Sequence, residues 1–201
     1  MDFNIIKRIK LKDAFSGNAK FEDVISDEDY LRELFEFSNR GTTYVFDDSE
    51  IGHSTFTLNT RGIGRDRVLV IRNRHHKDIF LWHIDGVLYA KNTKCDCAIL
   101  TDKELIFAEF KTNAENQTDE AIIHNFIKAK EQLLSTITDI KNKCSAAAGV
   151  ELEDMLHLEA YAIFNQTVPD GSAYRKNISA EFWFQSDGID LKFANEKKLI
   201  N

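Results

Sequence analysis

Proline is nearly absent from this sequence: Pro169 is the single one in 201 residues. No Gly/Ser-rich linker separates one part of the chain from another, and no internal repeat divides it. A chain of this length suits one domain of ordinary size, or a core with an embellishment. We therefore predict a single domain over residues 1–201.

Cysteine is also scarce, with three residues, and long apolar runs are missing. Cys95 and Cys97 lie two apart on a predicted strand, so they cannot form a normal disulfide, and no second Cys or His pair has the spacing of a zinc site. The count is typical of reduced, buried thiols. No hydrophobic run approaches the roughly 18 residues of a membrane span, and the N-terminus lacks the features of a signal peptide. We expect a cytoplasmic protein with no membrane partner.

Positive charge is in deficit, since the formal net charge is -7. This balance counts against binding to a polyanion. Residues 61–77 depart from it, because they hold six cationic side chains against Asp66 alone, a net of +5. Such a segment either binds phosphate groups locally or forms the charged outer face of a solvated strand pair. The candidate nucleic-acid-binding residues are Arg61, Arg65, Arg67, Arg72, Arg74 and Lys77.

Hydrophobic periodicity predicts a helix, several strands, a long helix and further strands. Residues 27–39 open with acids and favour a helix, whereas 41–60 favour a loop or an irregular strand pair. Residues 119–141 carry apolar residues every three or four positions and predict the long helix. Short β-branched or aromatic runs predict strands at 68–73, 78–84, 86–91, 95–100, 105–111, 156–165 and 177–186.

The most informative stretch is KCDCAILTDKELIFAEFKT, residues 94–112, which predicts a hairpin with Asp102 and Lys103 at the centre of its turn. In that register the numbers of paired residues sum to 205. One face is then wholly apolar and should lie in the core; it pairs Cys95 with Phe110, Cys97 with Ala108 and Ile99 with Ile106. The other face is apolar near the turn and charged at the far end, where Asp96 opposes Glu109 and Lys94 opposes Lys111.

Opposed Cβ atoms of an antiparallel pair lie about 4.5–5.5 Å apart, so Asp96 and Glu109 would repel each other in a half-buried place. A divalent cation between them relieves that repulsion, and Mg²⁺ prefers such oxygen ligands. Lys111 emerges on the same face, where it can orient water or stabilise charge on a phosphate. The alternative for this pattern is an exposed, salt-bridged strand.

The hairpin and the helix after it resemble the PD-(D/E)xK nuclease superfamily, whose core is a helix, a three-stranded meander, a helix and a further strand. In that resemblance Asp96 is the acid of the second strand, and Glu109 with Lys111 forms the (E/D)xK motif. The carbonyl of Phe110 completes the metal ligands. AKEQLLSTI, in the long helix, supplies Gln132 at the position of the family's glutamine. Many members add a glutamate from the preceding helix, for which Glu33 and Glu36 are candidates.

The resemblance covers residues 85–165 and leaves 1–84 as an N-terminal embellishment. It implies an α/β fold with a restriction-endonuclease-like core, in which helices flank a mixed β-sheet and extra N-terminal strands are added. The implied function is that of a Mg²⁺- or Mn²⁺-dependent nuclease in bacterial defence or repair, with DNA expected as the partner ahead of RNA. Two alternatives stay open: a non-catalytic interaction protein that retains the fold, and a subunit active only in a homo-oligomer or larger complex. No proline precedes Asp96, which departs from the family pattern.

Overall fold

The structure is a computed structural model that describes residues 4–16, 34–89, 93–112, 118–165 and 172–200. The helices are α1 (Asn4–Arg8), α2 (Leu11–Ala14), α3 (Asp119–Ala148), α4 (Leu152–Met155) and α5 (Ser172–Gln185), with a 3-10 turn at Arg65–Arg67. The strands are β1 (Phe35–Ser38), β2 (Thr42–Asp48), β3 (His53–Thr57), β4 (Leu69–Arg72), β5 (Ile79–His83), β6 (Cys97–Leu100), β7 (Glu104–Lys111), β8 (His157–Phe164), β9 (Asp190–Lys192) and β10 (Glu196–Lys198).

The larger sheet has six strands in the order β1-β5-β6-β7-β8-β9. Its first four strands are antiparallel neighbours, whereas β8 runs parallel to both β7 and β9. A parallel neighbour requires a crossover, which α3 provides between β7 and β8. The mixed α/β architecture that the sequence predicts is confirmed at this level.

The smaller sheet has four strands in the order β10-β4-β2-β3. The pair β2 and β3 lies within 41–60, so the predicted strand pair is confirmed there. Three of its strands precede residue 85, and the C-terminal strand β10 pairs parallel with β4. Of the strands before residue 85, β2, β3 and β4 therefore belong to the smaller sheet, whereas β1 and β5 belong to the larger one.

Both faces of the six-stranded sheet are buried. One face, which includes Phe80, Leu105 and Phe107, packs with residues of α3 in one core cluster. The other face, which includes Ile99 and Ile106, packs against the four-stranded sheet. Central strands covered on two faces read as continuous apolar runs, which explains the composition of β5, β6 and β7.

The long helix begins at the N-cap Thr118, whose side chain accepts a hydrogen bond from the backbone N–H of Ala121. It ends at Gly149, whose φ of 74° is the left-handed conformation that glycine adopts readily. The helix thus continues past the predicted end at residue 141. Within the described part of the chain, no helix has both the length and the apolar character needed to cross a bilayer.

Three predicted elements differ from the structure. In the range 27–39, for which the sequence predicts a helix, residues 27–33 lie outside the described part, Leu34 is helical, and Phe35–Ser38 form strand β1, paired with β5. The strand predicted over 177–186 falls in α5, where the buried Ile178 and Phe182 are four residues apart and share a helical face. The strand predicted over 86–91 is a turn at residues 86–88, followed by an isolated bridge from Tyr89 to Asp85; residues 90–91 are not described.

Candidate functional site

The β6–β7 hairpin has the predicted register. Cys97 pairs with Ala108 and Leu100 with Leu105, so paired residue numbers sum to 205. The backbone N–H of Thr101 donates to the carbonyl of Glu104 at 2.9 Å and closes the turn. This register brings the start of β6 and the end of β7 to the same end of the sheet, where Asp96, Glu109 and Lys111 lie.

One detail of the predicted pairing is wrong: Cys95 does not share a face with Cys97. Both thiols are buried, but Cys97 packs between the two sheets and Cys95 packs with the α3 side of the core. Strand β6 begins at Cys97, and Asp96 lies in a bend before it. The backbone N–H groups of Ile84 and Asp85 both point at the Asp96 carbonyl, each at 3.3 Å. The bend interrupts the alternation of faces on which the prediction relied.

The half-buried Asp96 side chain reaches the end of β7. Its Oδ2 accepts a hydrogen bond from the backbone N–H of Phe110 at 2.6 Å. The aspartate is thereby fixed next to Glu109, the residue before Phe110. Phe110 itself is buried between the sheets, so its contribution to this site comes from its backbone.

Glu109, Lys111 and Gln132 form one connected group on the α3 side. Lys111 Nζ contacts Glu109 Oε1 and donates to Gln132 Oε1 at 2.9 Å. Glu109 is 1% exposed, and a buried carboxylate oxygen without a donor is costly in a native fold. One oxygen of this buried carboxylate, Oε2, has no hydrogen-bond partner among the described residues.

Helix α3 also holds the segment that carries Asp96. The amide Nε2 of Gln132 donates to the carbonyl of Lys94 at 2.9 Å, and the backbone N–H of Cys95 donates to Thr136 Oγ1 at 2.8 Å. Gln132 thus joins the lysine of β7 to the chain just before Asp96. Its burial and its two partners make it a positioning residue for both.

Three further carboxylates that the sequence prediction missed, those of Asp47, Asp48 and Asp85, line a pocket with Asp96 at this end of the sheets. Asp47 lies near the end of β2 and Asp85 after β5, and His53 lines the same pocket. Asp47 belongs to the smaller sheet, so no local pattern connects it with the hairpin. Asp85 carries a weak signal, since it follows directly on the apolar run of β5.

The electrostatics of this group disfavour ionisation of all its carboxyl groups at once. Burial raises the pKa of Glu109 to about 7, although the neighbouring Lys111 lowers it, and the charges of Asp85 and Asp47 add to the rise. Burial, then the charge of Glu109, also raises the pKa of Asp96 well above its usual range, against the hydrogen bond from Phe110. Several acids in a low-dielectric place cannot all ionise without added positive charge.

A buried histidine lies behind this pocket. Burial, followed by the neighbouring His53, lowers the pKa of His83 to about 4. His83 is therefore a neutral imidazole at pH 7, and it pairs in register with Cys97 at the start of β6.

The basic segment is divided between the two ends of the smaller sheet. Arg61 and Arg67 line a pocket that also includes Asp47 and Thr112, next to the carboxylates. Arg65 is exposed on the adjoining 3-10 turn. The remaining members lie toward the other end, where Arg72 pairs with Glu196 at 3.0 Å, Lys77 pairs with Asp102 at 3.0 Å, and Arg74 is exposed.

Comparison of the chain with protein-family models, with curated proteins and with solved structures finds no match. The function is therefore inferred from the geometry and charge of Asp96, Glu109, Lys111 and Gln132.

Proposed function

We propose that this protein is a metal-dependent nuclease that hydrolyses phosphodiester bonds of nucleic acid. The observation that carries the proposal is the buried Glu109 carboxylate, with one oxygen lacking a donor in the described structure, held beside Asp96, Lys111 and Gln132. The meander β5–β6–β7, the helix α3 and the parallel strand β8 follow the order that the resemblance to the PD-(D/E)xK superfamily implies. This order supports a restriction-endonuclease-like core as part of the proposal.

The residues present fit Mg²⁺ or Mn²⁺. Asp96 and Glu109 offer carboxylate oxygens, which these ions prefer, and the carbonyl of Phe110 is the third protein ligand that we assign. A metal ion bound there lowers the pKa of a water molecule and stabilises negative charge on a phosphate. The hydrogen bond from Phe110 holds Asp96 in place before any ion binds.

Lys111 is the catalytic cation of this proposal. Glu109 and Gln132 both contact its ammonium group and hold it beside the carboxylates. A fixed positive charge in a water-poor place stabilises charge that develops on a phosphate in the transition state. Gln132 orients that lysine and does not need to touch the substrate.

Arg61 and Arg67 are the residues that we expect to bind the phosphate backbone next to the site. They line the pocket beside Asp47, so a phosphate backbone held there would pass the carboxylates. Phosphate contacts of this kind fix the position of a duplex without reading its sequence. Their placement explains how an acidic protein can bind nucleic acid, with DNA as the substrate that we propose.

Cleavage of labelled single- and double-stranded DNA and RNA in Mn²⁺ tests the proposal. The parent protein should cleave and should stop in EDTA. Asp96→Asn keeps the shape of the side chain and should abolish cleavage, and Lys111→Ala should reduce it by about 10²–10³-fold. Thermal melts of each variant confirm that the fold is retained.

Lys103→Ala is the matched control, because Lys103 is an exposed lysine at the turn end of the same hairpin. It should cleave as the parent does. A protein that leaves every substrate intact in Mn²⁺ and Mg²⁺, or a Lys111→Ala variant as active as Lys103→Ala, contradicts the proposal.

A further inference from the structure

A second group of side chains that can bind a metal ion lies where the two sheets meet, and one member, His53, also lines the pocket that contains Asp96. Glu36 on β1, His53 on β3 and His83 on β5 each offer one ligand atom, and the three atoms lie within 4.8 Å of one another. We propose that these three residues form a site for a divalent transition-metal ion of the zinc type, separate from the Mg²⁺ or Mn²⁺ site assigned above.

The distances suit two ligands of one ion better than they suit a hydrogen bond. His83 Nε2 lies 3.6 Å from Glu36 Oε1, whereas N–H···O hydrogen bonds are about 2.7–3.2 Å long. Two ligands placed about 2.0–2.2 Å from a tetrahedral Zn²⁺ are roughly 3.4 Å apart. The imidazole rings of His53 and His83 are also close, with centroids 4.3 Å apart and ring planes tilted by 51°. The three side chains therefore converge without a proton donor that joins them.

The groups around the three residues fix them as outer-shell partners fix metal ligands. Glu36 Oε1 accepts a hydrogen bond from the Thr55 hydroxyl at 2.6 Å, and its Oε2 accepts one from the backbone N–H of Phe56 at 2.9 Å. Nδ1 of His53 lies 3.0 Å from the carbonyl of Ser54. A carbonyl oxygen can only accept, so Nδ1 carries the hydrogen and Nε2 presents its lone pair.

The burial of His83 adds a second observation. This residue is 3% exposed, and its Nδ1 has no hydrogen-bond partner in the described part of the chain. Because Nε2 is the nitrogen that faces Glu36, it is the metal ligand and Nδ1 carries the hydrogen, and no hydrogen bond at Nδ1 among the described residues fixes the ring in another orientation. Glu36 and His53 are half-buried, which gives an ion an entry path and an open coordination position.

Two imidazoles and one carboxylate select the class of ion. Imidazole nitrogen suits Zn²⁺ and its first-row neighbours, whereas Mg²⁺ prefers oxygen ligands alone. The free thiols Cys95, Cys97 and Cys144 are all buried and do not compete. An ion here ties β3 of the smaller sheet to β1 and β5 of the larger one. It would thereby hold the β2–β3 hairpin, which carries Asp47, over the pocket.

Calorimetric titration of the metal-stripped full chain with Zn²⁺ tests this site. The parent should bind one equivalent and melt at a higher temperature with Zn²⁺ than without. Thr55→Val removes an outer-shell donor and should weaken Zn²⁺ binding by about 10–100-fold. His53→Gln removes a half-exposed ligand and should weaken binding further, and His83→Gln should do the same where it folds.

Two controls separate this site from others. His75→Gln changes an exposed histidine elsewhere and should bind Zn²⁺ as the parent does. Asp96→Asn disables the proposed nuclease site and should also keep its Zn²⁺ equivalent. The proposal is overturned if the parent binds no Zn²⁺, if His53→Gln binds as the parent does, or if Asp96→Asn alone removes the binding.

Discussion

Among single residues, two buried glutamates of β7 differ in the partners of their carboxylate oxygens. Glu104 is fully buried, yet Lys197 contacts its Oε1 and the backbone N–H of Ile200 donates to its Oε2 at 2.7 Å. Glu109 is as buried but has a partner at one oxygen only, among the residues described. Oε1 of Glu104 thus has a cationic neighbour, although it makes no hydrogen bond among the described residues, and Oε2 has an N–H donor. Oε2 of Glu109 has no hydrogen-bond partner among those residues.

Lys197 should therefore be a structural cation. It is 4% exposed and contacts both Glu104 and Glu159, the latter at 2.7 Å. Lys197→Met leaves these buried carboxylates without their shared cation, and we expect a loss of about 3–5 kcal/mol in the free energy of unfolding. Lys198→Met, on the exposed next residue, should stay within about 0.5 kcal/mol of the parent. Equal urea midpoints for the two variants would contradict the structural role.

The same cluster predicts a dependence of stability on pH. Burial raises the pKa of Glu159, but hydrogen bonds from Lys192 and Lys197 outweigh it and lower the pKa from 4.5 to about 2. The depressed pKa means that the ionised form stabilises the fold at pH values above 4.5, and that this contribution disappears as the pH falls toward 2. Urea unfolding of the parent and of Glu159→Gln should thus differ most near neutral pH and converge in acid. A gap that does not narrow in acid would refute this assignment.

At the scale of elements, helix α3 is the scaffold of the candidate site. Thr136 accepts from the Cys95 backbone N–H and donates to the carbonyl of Gln132 at 2.7 Å. Gln132 in turn binds Lys111 and the Lys94 carbonyl. One face of the helix therefore sets the positions of Asp96 and Lys111 together.

Thr136→Val tests that scaffold. The substitution keeps the shape of the side chain but leaves the buried N–H of Cys95 without its acceptor, which costs about 1–3 kcal/mol. We expect this loss in urea unfolding, together with weaker cleavage at temperatures where the variant is folded. Ser135→Ala is the control, since Ser135 is exposed and its hydroxyl contacts the Lys94 side chain. Thr136→Val cleaving at the parent rate would show that α3 does not position the site.

Elements with local, strongly periodic signals could be predicted from the sequence. The hairpin register follows from its turn and its apolar faces, and α3 follows from its heptad-like spacing. The sequence does not assign two other elements in the same way, because short apolar runs fit the helical period and the strand period equally well. These elements are Phe35–Ser38 and 177–186. Pairing with β5 decides the first, and packing of Ile178 and Phe182 on the core decides the second.

For the whole molecule, the candidate site lies at one end of the larger sheet, with Lys111 and Gln132 on the α3 side and Asp47 contributed by the smaller sheet. The sequence predicts three of the site residues, because the hairpin motif and the helix after it are close in the chain and resemble a known family. These residues are Glu109, Lys111 and Gln132. Asp47, Asp85 and the Glu36–His53–His83 group could not be found in this way. They come together only when β2 and β3 pack over β5 and β6, an arrangement that no local pattern encodes.

The division of the basic segment gives a prediction about nucleic-acid binding. Replacing Arg61 and Arg67 with Gln should weaken DNA binding and lower the slope of log affinity against log salt by roughly 0.7–0.9 for each phosphate that the protein no longer neutralises. Replacing Arg72 and Arg74, toward the other end of the smaller sheet, removes the same charge and should leave the slope closer to that of the parent. Identical slopes for the two double variants would show that proximity to the carboxylates does not matter.

The proposed function depends on a cation site formed by Asp96 and Glu109. The most direct measurement is the melting temperature of the parent and of Asp96→Asn, each with and without Mn²⁺. Mn²⁺ should stabilise the parent by about 2.7 kcal/mol at a hundred times its dissociation constant, because it binds the folded state alone. His53→Gln should keep this response.

Asp96→Asn removes one of two repelling carboxylates, so without metal it should melt at or above the temperature of the parent, and it should lose most of the response to Mn²⁺. If Asp96 instead serves a structural ion pair, Asp96→Asn will melt below the metal-free parent, and Mn²⁺ will change neither protein. That second result would contradict the assignment of a cation site.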